Sequence, residues 1–143
     1  MFAKLKAKLG GGVNRFSGNT DFLEAVCASC SLVAAADGDI SDEECLQAIK
    51  VVSSNESLSK AFAPQLIEKT MDKMMERVTA GRTGRANVMK EISDIADDTE
   101  MAETVYLTAL DVAEANGDVC EAERDMLNKI ASRLGVNPSS LEV

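Results

Sequence analysis

One eleven-residue pattern occurs twice in this chain, and few folds can accommodate that. Ala34–Glu44 reads Ala-Ala-Ala-Asp-Gly-Asp-Ile-Ser-Asp-Glu-Glu, and Ala113–Glu123 reads Ala-Glu-Ala-Asn-Gly-Asp-Val-Cys-Glu-Ala-Glu. The copies align without a gap at an offset of 79, Asp37 falling on Asn116 and Glu44 on Glu123. Each follows an apolar run and each closes on a Glu placed to open a helix. A pattern that returns at a fixed offset marks a duplicated supersecondary unit. The unit here is helix-loop-helix.

The runs around these loops set the fold class. Phe22 to Ala36 is apolar on nearly every side, interrupted by Glu24, Ser29 and Ser31. A helix apolar all round belongs inside a fold. Its counterpart in the second copy is Met101 to Ala115, with Val105, Leu107, Leu110 and Val112 expected inside. These two form the expected central pair, and any of Asn19, Thr20 or Asp21 can cap the first. Ser41 and Glu44 have capping-box spacing. The helix they open carries Cys45, Ala48, Ile49 and Val52 on one face and stops at Ser53-Ser54-Asn55. Its counterpart, about 121–134, stops at Gly135, a usual C′ residue. Two further helices are expected at roughly 64–79 and 84–97, and Asn137-Pro138 opens one more turn. No stretch alternates as a half-buried strand does. The class is all-α, two pseudo-two-fold-related helix-loop-helix units around a central apolar helix pair.

With 143 residues there is one domain's worth of chain, long enough to bury a core without staples. Aromatics are only 3% of it, so that core is built from Leu, Ile, Val, Ala and Met. Residues 19–143 are expected to form the helical domain. Residues 1–18 are expected to be a basic, flexible N-terminal segment: Lys4, Lys6, Lys8 and Arg15 stand there without an acid, and Gly10-Gly11-Gly12 is a joint. Its first nine residues have the pattern of a short amphipathic helix. Docking on a membrane surface through Lys4, Lys6 and Lys8 is one reading, but two turns bury little apolar area.

Charge is unevenly spread along the chain. The formal net charge is −9, yet residues 59–90 hold seven Lys or Arg against Glu68, Asp72 and Glu76. Residues 91–125 hold twelve acids and one base, Arg124. A phosphate backbone would be repelled by such a segment, which argues against duplex nucleic acid and for cations or a basic partner. No apolar run reaches the roughly 18 residues a membrane span needs, and the N-terminus has no secretory apolar core. The expected location is cytoplasmic, with Cys27, Cys30, Cys45 and Cys120 as free thiols.

The repeated loop has half of a calcium loop. With Gly38 at position 6, Asp37 falls at 5, Ile40 at 8, Ser41 at 9 and Glu44 at 12. Positions 1 and 3 are Val33 and Ala35, which offer no side-chain ligand, and in the second copy they are Val112 and Glu114. Neither loop is a whole site. If the units pack about a pseudo-two-fold axis, Asp37, Asp39 and Glu44 would face Asn116, Asp118 and Glu123. Such an oxygen cluster suits calcium, magnesium or manganese. Asp42, Glu43 and Glu121 flank these acids and are the expected partner contacts. The plainer alternative is local turn chemistry: Gly supplies a positive φ, Asp caps the turn, and Glu44 and Glu123 close capping boxes.

The remaining reactive residues point to packing. Cys27 and Cys30 are spaced i, i+3 on an apolar helix among alanines, where zinc knuckles are not built and buried Cys acts as a small hydrophobe. A thiol-based redox or oxyanion-handling role for Cys27 and Cys30 is the alternative function. Met71, Met74, Met75 and Met89 read as adaptable core. With no His in the chain, a Ser-His or Cys-His centre is impossible, and no glycine loop has the strand and helix that phosphate binding requires. No enzyme is expected.

At the two loops, and across about residues 20–136, the sequence resembles the tellurite resistance protein TerB family. The residues that carry the resemblance are Ala-Ala-Asp-Gly-Asp-Ile-Ser-x-x-Glu at Ala35–Glu44, Ala-Asn-Gly-Asp-Val-x-x-x-Glu at Ala115–Glu123, and Leu134-Gly135-Val136. The resemblance implies about seven helices with internal two-fold character. It also implies a small non-enzymatic cytoplasmic protein of the tellurite resistance and stress-response system. By the same resemblance it would bind metal through the loop acids Asp37, Asp39, Glu44, Asp118 and Glu123, beside an integral-membrane TerC-like partner. Asn116 stands where the first copy has Asp37, which makes the second half-site the weaker ligand set.

Overall fold

A computed structural model of the chain describes residues 16–141, Asp39 and Asn116 excepted. The sequence expectations for residues 1–15, a short basic helix and a glycine joint, fall outside the described residues. Eight helices and no strand occur among the described residues: α1 Thr20–Ala34, α2 Asp42–Ser54, α3 Glu56–Ala61, α4 Pro64–Thr79, α5 Arg82–Ser93, α6 Thr99–Ala115, α7 Glu121–Leu134 and α8 Pro138–Leu141. The fold is all-α. None of these helices is long and apolar enough to cross a membrane.

Helix α1 is the axis of the bundle. Asn19 begins it, its Oδ1 accepting from the Phe22 N–H at 3.1 Å. Twelve of its fifteen residues are buried, so it needs neighbours on all sides. It finds them in α2, α4, α5, α6 and α7. Two serines sit in its dry stretch, and each hydroxyl donates to a carbonyl of the helix itself, Ser29 to Val26 at 2.8 Å and Ser31 to Cys27 at 2.7 Å. Among the described residues no buried side-chain nitrogen or oxygen lacks a partner, so the polar interruptions of α1 leave no uncompensated desolvation. Three phenylalanines gather at its start: Phe16 is buried and stacks on Phe22 with centroids 4.3 Å apart, and Phe62 lies 6.4 Å from Phe22.

Helices α1 and α6 lie side by side and run the same way. Asn19 at the head of α1 is 3.9 Å from the Met101 sulfur at the head of α6, and eleven residues on, Cys30 feels the charge of Asp111. Both helices then continue to their ends, about 21–22 Å from that first contact at 1.5 Å per residue. Each is followed by one of the repeated loops, so both loops leave the same end of the bundle. The second helix of each unit, α2 and α7, packs against both α1 and α6.

Three sequence expectations change in detail. Leu107 is 38% exposed and Leu110 only half-buried; α6 turns Met101, Val105, Thr108 and Val112 inward, and Leu107 and Leu110 lie on another face. The expected helix at 84–97 is Arg82–Ser93. Its apolar period continues because Ile95 is buried from within the following turn, and Asp98 then caps α6 by accepting from the Met101 N–H at 3.1 Å. Helix α3 was not expected. Asn55, read as a terminator, also starts a helix, its Oδ1 accepting from the Leu58 N–H at 3.2 Å.

Between α4 and α5 the backbones approach so closely that a Cβ on Gly84 would collide with the Arg77 carbonyl oxygen. The same junction carries the Arg77–Glu91 ion pair at 3.1 Å. At an ordinary helical site Gly→Ala stabilises by roughly 0.5–1 kcal/mol. At Gly84 the sign reverses: Gly84→Ala is expected to lower stability by about 1–3 kcal/mol through overpacking, read as a lower urea midpoint.

Candidate functional site

The two loops are built alike. Gly38 has φ +116° and Gly117 φ +107°, a region open to Gly and strained for other residues. One backbone bond closes each turn, the Gly38 N–H to the Ala35 carbonyl at 3.0 Å and the Gly117 N–H to the Glu114 carbonyl at 3.1 Å. These positions correspond at the 79-residue offset, Ala35 with Glu114 and Gly38 with Gly117, so local backbone chemistry accounts for the shared position of the glycine.

The closing glutamates are already engaged. Ser41 Oγ accepts from the Glu44 N–H at 3.1 Å while Glu44 Oε1 accepts from the Ser41 N–H at 3.2 Å. In the second unit Glu123 Oε1 accepts from the Cys120 N–H at 3.0 Å, with a thiol where the first has a hydroxyl. Both carboxylates are half-buried and hold helix starts, where negative charge also favours the helix dipole.

The other candidates point outward. Asp37, Asp42, Glu43, Asp118 and Glu121 are exposed, and none forms an ion pair with another described residue. Asp39 and Asn116 lie outside the described residues. Among the described residues no three acidic or cysteine side chains come together to hold a metal ion. The structure thus brings the two loops to one end of the bundle, and it gathers no cation-binding set from Asp37, Glu44, Asp118 and Glu123 alone.

Two features beside the loops had no motif to announce them. Gln47, on the second turn of α2, donates from Nε2 to the Ala115 carbonyl at 3.1 Å. It ties the first unit's second helix to the base of the second loop. Next to it a cleft of about 370 Å³ is lined by Gln47, Lys50, Val51, Ser54, Asn55 and Asp111. Burial, then Glu114, pushes the Asp111 carboxyl above its ordinary range, although much of the residue still meets solvent. A larger cleft of about 590 Å³ runs between α6, the second loop, α7 and α8, with Leu107, Leu110, Val119 and Leu127 among its walls and Glu114 and Arg124 at its edge. The sequence signal for it was there: Glu103, Leu107, Leu110 and Glu114 fall on one helical face.

The cysteines are environments of opposite kinds. Cys27 and Cys30 are buried within α1 and unbridged. Burial pushes the Cys30 thiol up to about 12, against a lowering hydrogen bond from Ser29 and with Asp111 adding to the rise. Cys27 is raised well above its ordinary value by burial, then by Cys30 and Glu24. Both are protonated at neutral pH, and the thiol is the unreactive form. Cys45 is also raised, by burial and then Asp72 and Asp42. Cys120 is exposed.

Comparison with known proteins gives one family: the family model described as Tellurite resistance protein TerB matches residues 23–143, which takes in both loops. No curated protein and no solved structure matches the chain.

Thiol labelling of the native fold at neutral pH is expected to modify Cys120 first and Cys45 more slowly. Cys27 and Cys30 are expected to react only as denaturant unfolds the chain. Rapid labelling of Cys27 or Cys30 without denaturant, located by peptide mass, would restore the thiol-based alternative.

Proposed function

The chain belongs to the TerB family of tellurite resistance proteins, and from that premise we propose that it is a non-enzymatic binding module of the tellurite resistance and stress-response system. Its docking surface is the loop-bearing end. The observation that supports this most is placement: α1 and α6 run side by side and deliver both loops to one end. Asp37, Asp42, Glu43, Asp118 and Glu121 are exposed there or on the first turns that follow. Glu44 and Glu123 serve as caps and leave those five to outside partners. Charges of one sign, without an ion pair among the described residues, favour encounter with a basic surface and disfavour an acidic one.

A basic surface of the required kind exists on the cytoplasmic loops of integral-membrane proteins, which carry an excess of Lys and Arg. A TerC-like membrane protein of the same system is the proposed partner. The chain itself then works in the cytoplasm, held at the inner face of the membrane through that protein. Divalent cation binding is the second reading, favoured by the matched geometry of the two turns. It requires Asp39 and Asn116 to join Asp37 and Asp118 around calcium, magnesium or manganese, with oxygen ligands throughout.

The double charge reversal Asp37→Lys with Asp118→Lys alters two exposed positions and is expected to leave the melting temperature within a few degrees. In cells lacking the native protein it is expected to lose tellurite protection, and purified it should lose salt-sensitive capture by the TerC-like protein. Full protection by the reversed chain would sink the docking reading. For the cation, millimolar calcium, magnesium or manganese should raise the wild-type melting temperature, by about 2.7 kcal/mol of stabilisation at a hundredfold excess over Kd. That rise should vanish in Asp39→Asn with Asp118→Asn. A wild-type curve unmoved by all three ions removes the cation and leaves the partner.

A further inference from the structure

The cleft along α6 has a counterpart in the first half of the chain, and there a helix covers it. At the 79-residue offset Glu103, Leu107, Leu110, Arg124 and Leu127 correspond to Glu24, Ala28, Ser31, Cys45 and Ala48. Helix α4 lies on both α1 and α2, which carry those five residues. Ser31 Oγ is 3.6 Å from the Met71 sulfur, and Lys73 Nζ is 3.4 Å from Glu24 Oε2. The Cys45 thiol is raised by burial and then by Asp72. Three consecutive residues of α4, one apolar, one acidic and one basic, thus act on three positions of the first unit. Ala28, Ser31 and Ala48 are buried.

Among the described residues no such helix covers the second unit. The four-residue α8 borders the cleft through Pro138 and Leu141 and leaves the rest open. Leu107 is 38% exposed, Leu110 is half-buried and Arg124 is exposed. Glu103, unlike Glu24, forms no ion pair with a described residue. The second cleft is also the more apolar of the two, with Leu107, Leu110 and Leu127 standing where the first unit has Ala28, Ser31 and Ala48. Leucines left open to water in a cleft of about 590 Å³ mark a place for an apolar partner.

We propose that this cleft receives one amphipathic helix of another protein, in the pattern by which α4 occupies the first unit. Its apolar face lies on Leu107, Leu110 and Leu127, one acid meets Arg124, and one Lys or Arg meets Glu103. A helix seated in a groove is read through anchors at i, i+3, i+4 and i+7. Ile67, Thr70, Met71 and Met74, all buried, have that spacing in α4. The occupant is not the α4 of a second copy, because Ile67, Met71 and Met74 are 0% exposed within their own bundle. None of Asp37, Asp42, Glu43, Asp118 or Glu121 lines the cleft, so this surface is separate from the loop-bearing end.

A synthetic peptide of residues 64–79 carries the required pattern and serves as the probe, labelled with fluorescein and followed by anisotropy against the full chain. The wild type is expected to bind it saturably. Leu107→Ser, at an exposed position, should keep the melting temperature within a few degrees and raise Kd about tenfold through the lost leucine contact. Leu46→Ser, at a leucine 67% exposed on α2 and outside the cleft, should leave Kd unchanged. A peptide with Lys73→Glu should bind the wild type roughly two- to fivefold more weakly and regain affinity for Glu103→Lys. That exchange separates seating in the cleft from displacement of α4 in the first unit, which neither Leu107→Ser nor Glu103→Lys would alter. No saturable binding, or binding indifferent to Leu107→Ser or to the charge exchange, overturns the proposal. Self-association of the chain that Leu107→Ser abolishes also overturns it, by putting a second copy in the cleft.

Discussion

The shared direction of α1 and α6 is the constraint on which the rest of the structure depends. Antiparallel neighbours are what short connections produce, and here two helices 79 residues apart in sequence lie parallel. The intervening α2 to α5 supply the return path. Because both central helices start together, at Asn19 and Met101, and have nearly equal lengths, both must finish together. The loops then share an end of the bundle because the helices leading into them end together. The side chains that enforce this are the small and branched residues of α1, buried on all sides and tolerant of close neighbours because so many are Ala, Ser or Cys. The polar ones among them bond to their own helix and make no demand on adjacent elements.

Local chemistry and surface chemistry divide the repeated motif between them. Gly38 and Gly117 make the turn, and Glu44 and Glu123 hold the next helix by its first N–H groups. A carboxylate engaged in a capping box loses part of its capacity to accept elsewhere. The aspartates have no such duty, and Asp37 and Asp118 are exposed. One motif thus builds two helix starts and still presents free charge. The repetition of the glycines and glutamates therefore follows from folding alone, whereas the exposed aspartates do not stabilise the turn through any described hydrogen bond.

Much of the fold was legible because its signals were local or periodic. Asn19, Ser41 with Glu44, and Gly135 mark helix ends in sequence and do so in space. The burial of α1 followed from its uniform apolarity. What sequence left open was anything that depended on which face meets which neighbour. Leu107 and Leu110 carry the same hydrophobicity as Val105 and Val112 but sit on a face that no other long helix covers fully. Asn55 shows a different difficulty: one side chain can end α2 and begin α3, and composition distinguishes only that a boundary is present. Gln47 has no motif at all, because its bond to Ala115 exists only once α2 is laid across the end of α6. The loop acids were legible as residues, and their mutual arrangement was not, since spacing along the chain does not fix distances between side chains on separate turns.

The cysteines show how the same fold separates candidates that sequence places side by side. Cys27 and Cys30 have the spacing of a redox pair, but on α1 that spacing puts them inside the most enclosed helix of the bundle. Removing a proton there leaves a charge without solvent, beside carboxylates of Glu24 and Asp111 that oppose it further. Each of those effects raises the thiol pKa, and the Ser29 hydrogen bond to Cys30 is too small to reverse them. An oxyanion approaching this face would meet the same negative charges. Chemistry with anions is therefore disfavoured at Cys27 and Cys30 by burial and by the carboxylates beside them, whereas Cys45 and Cys120, outside α1, are reached by solvent.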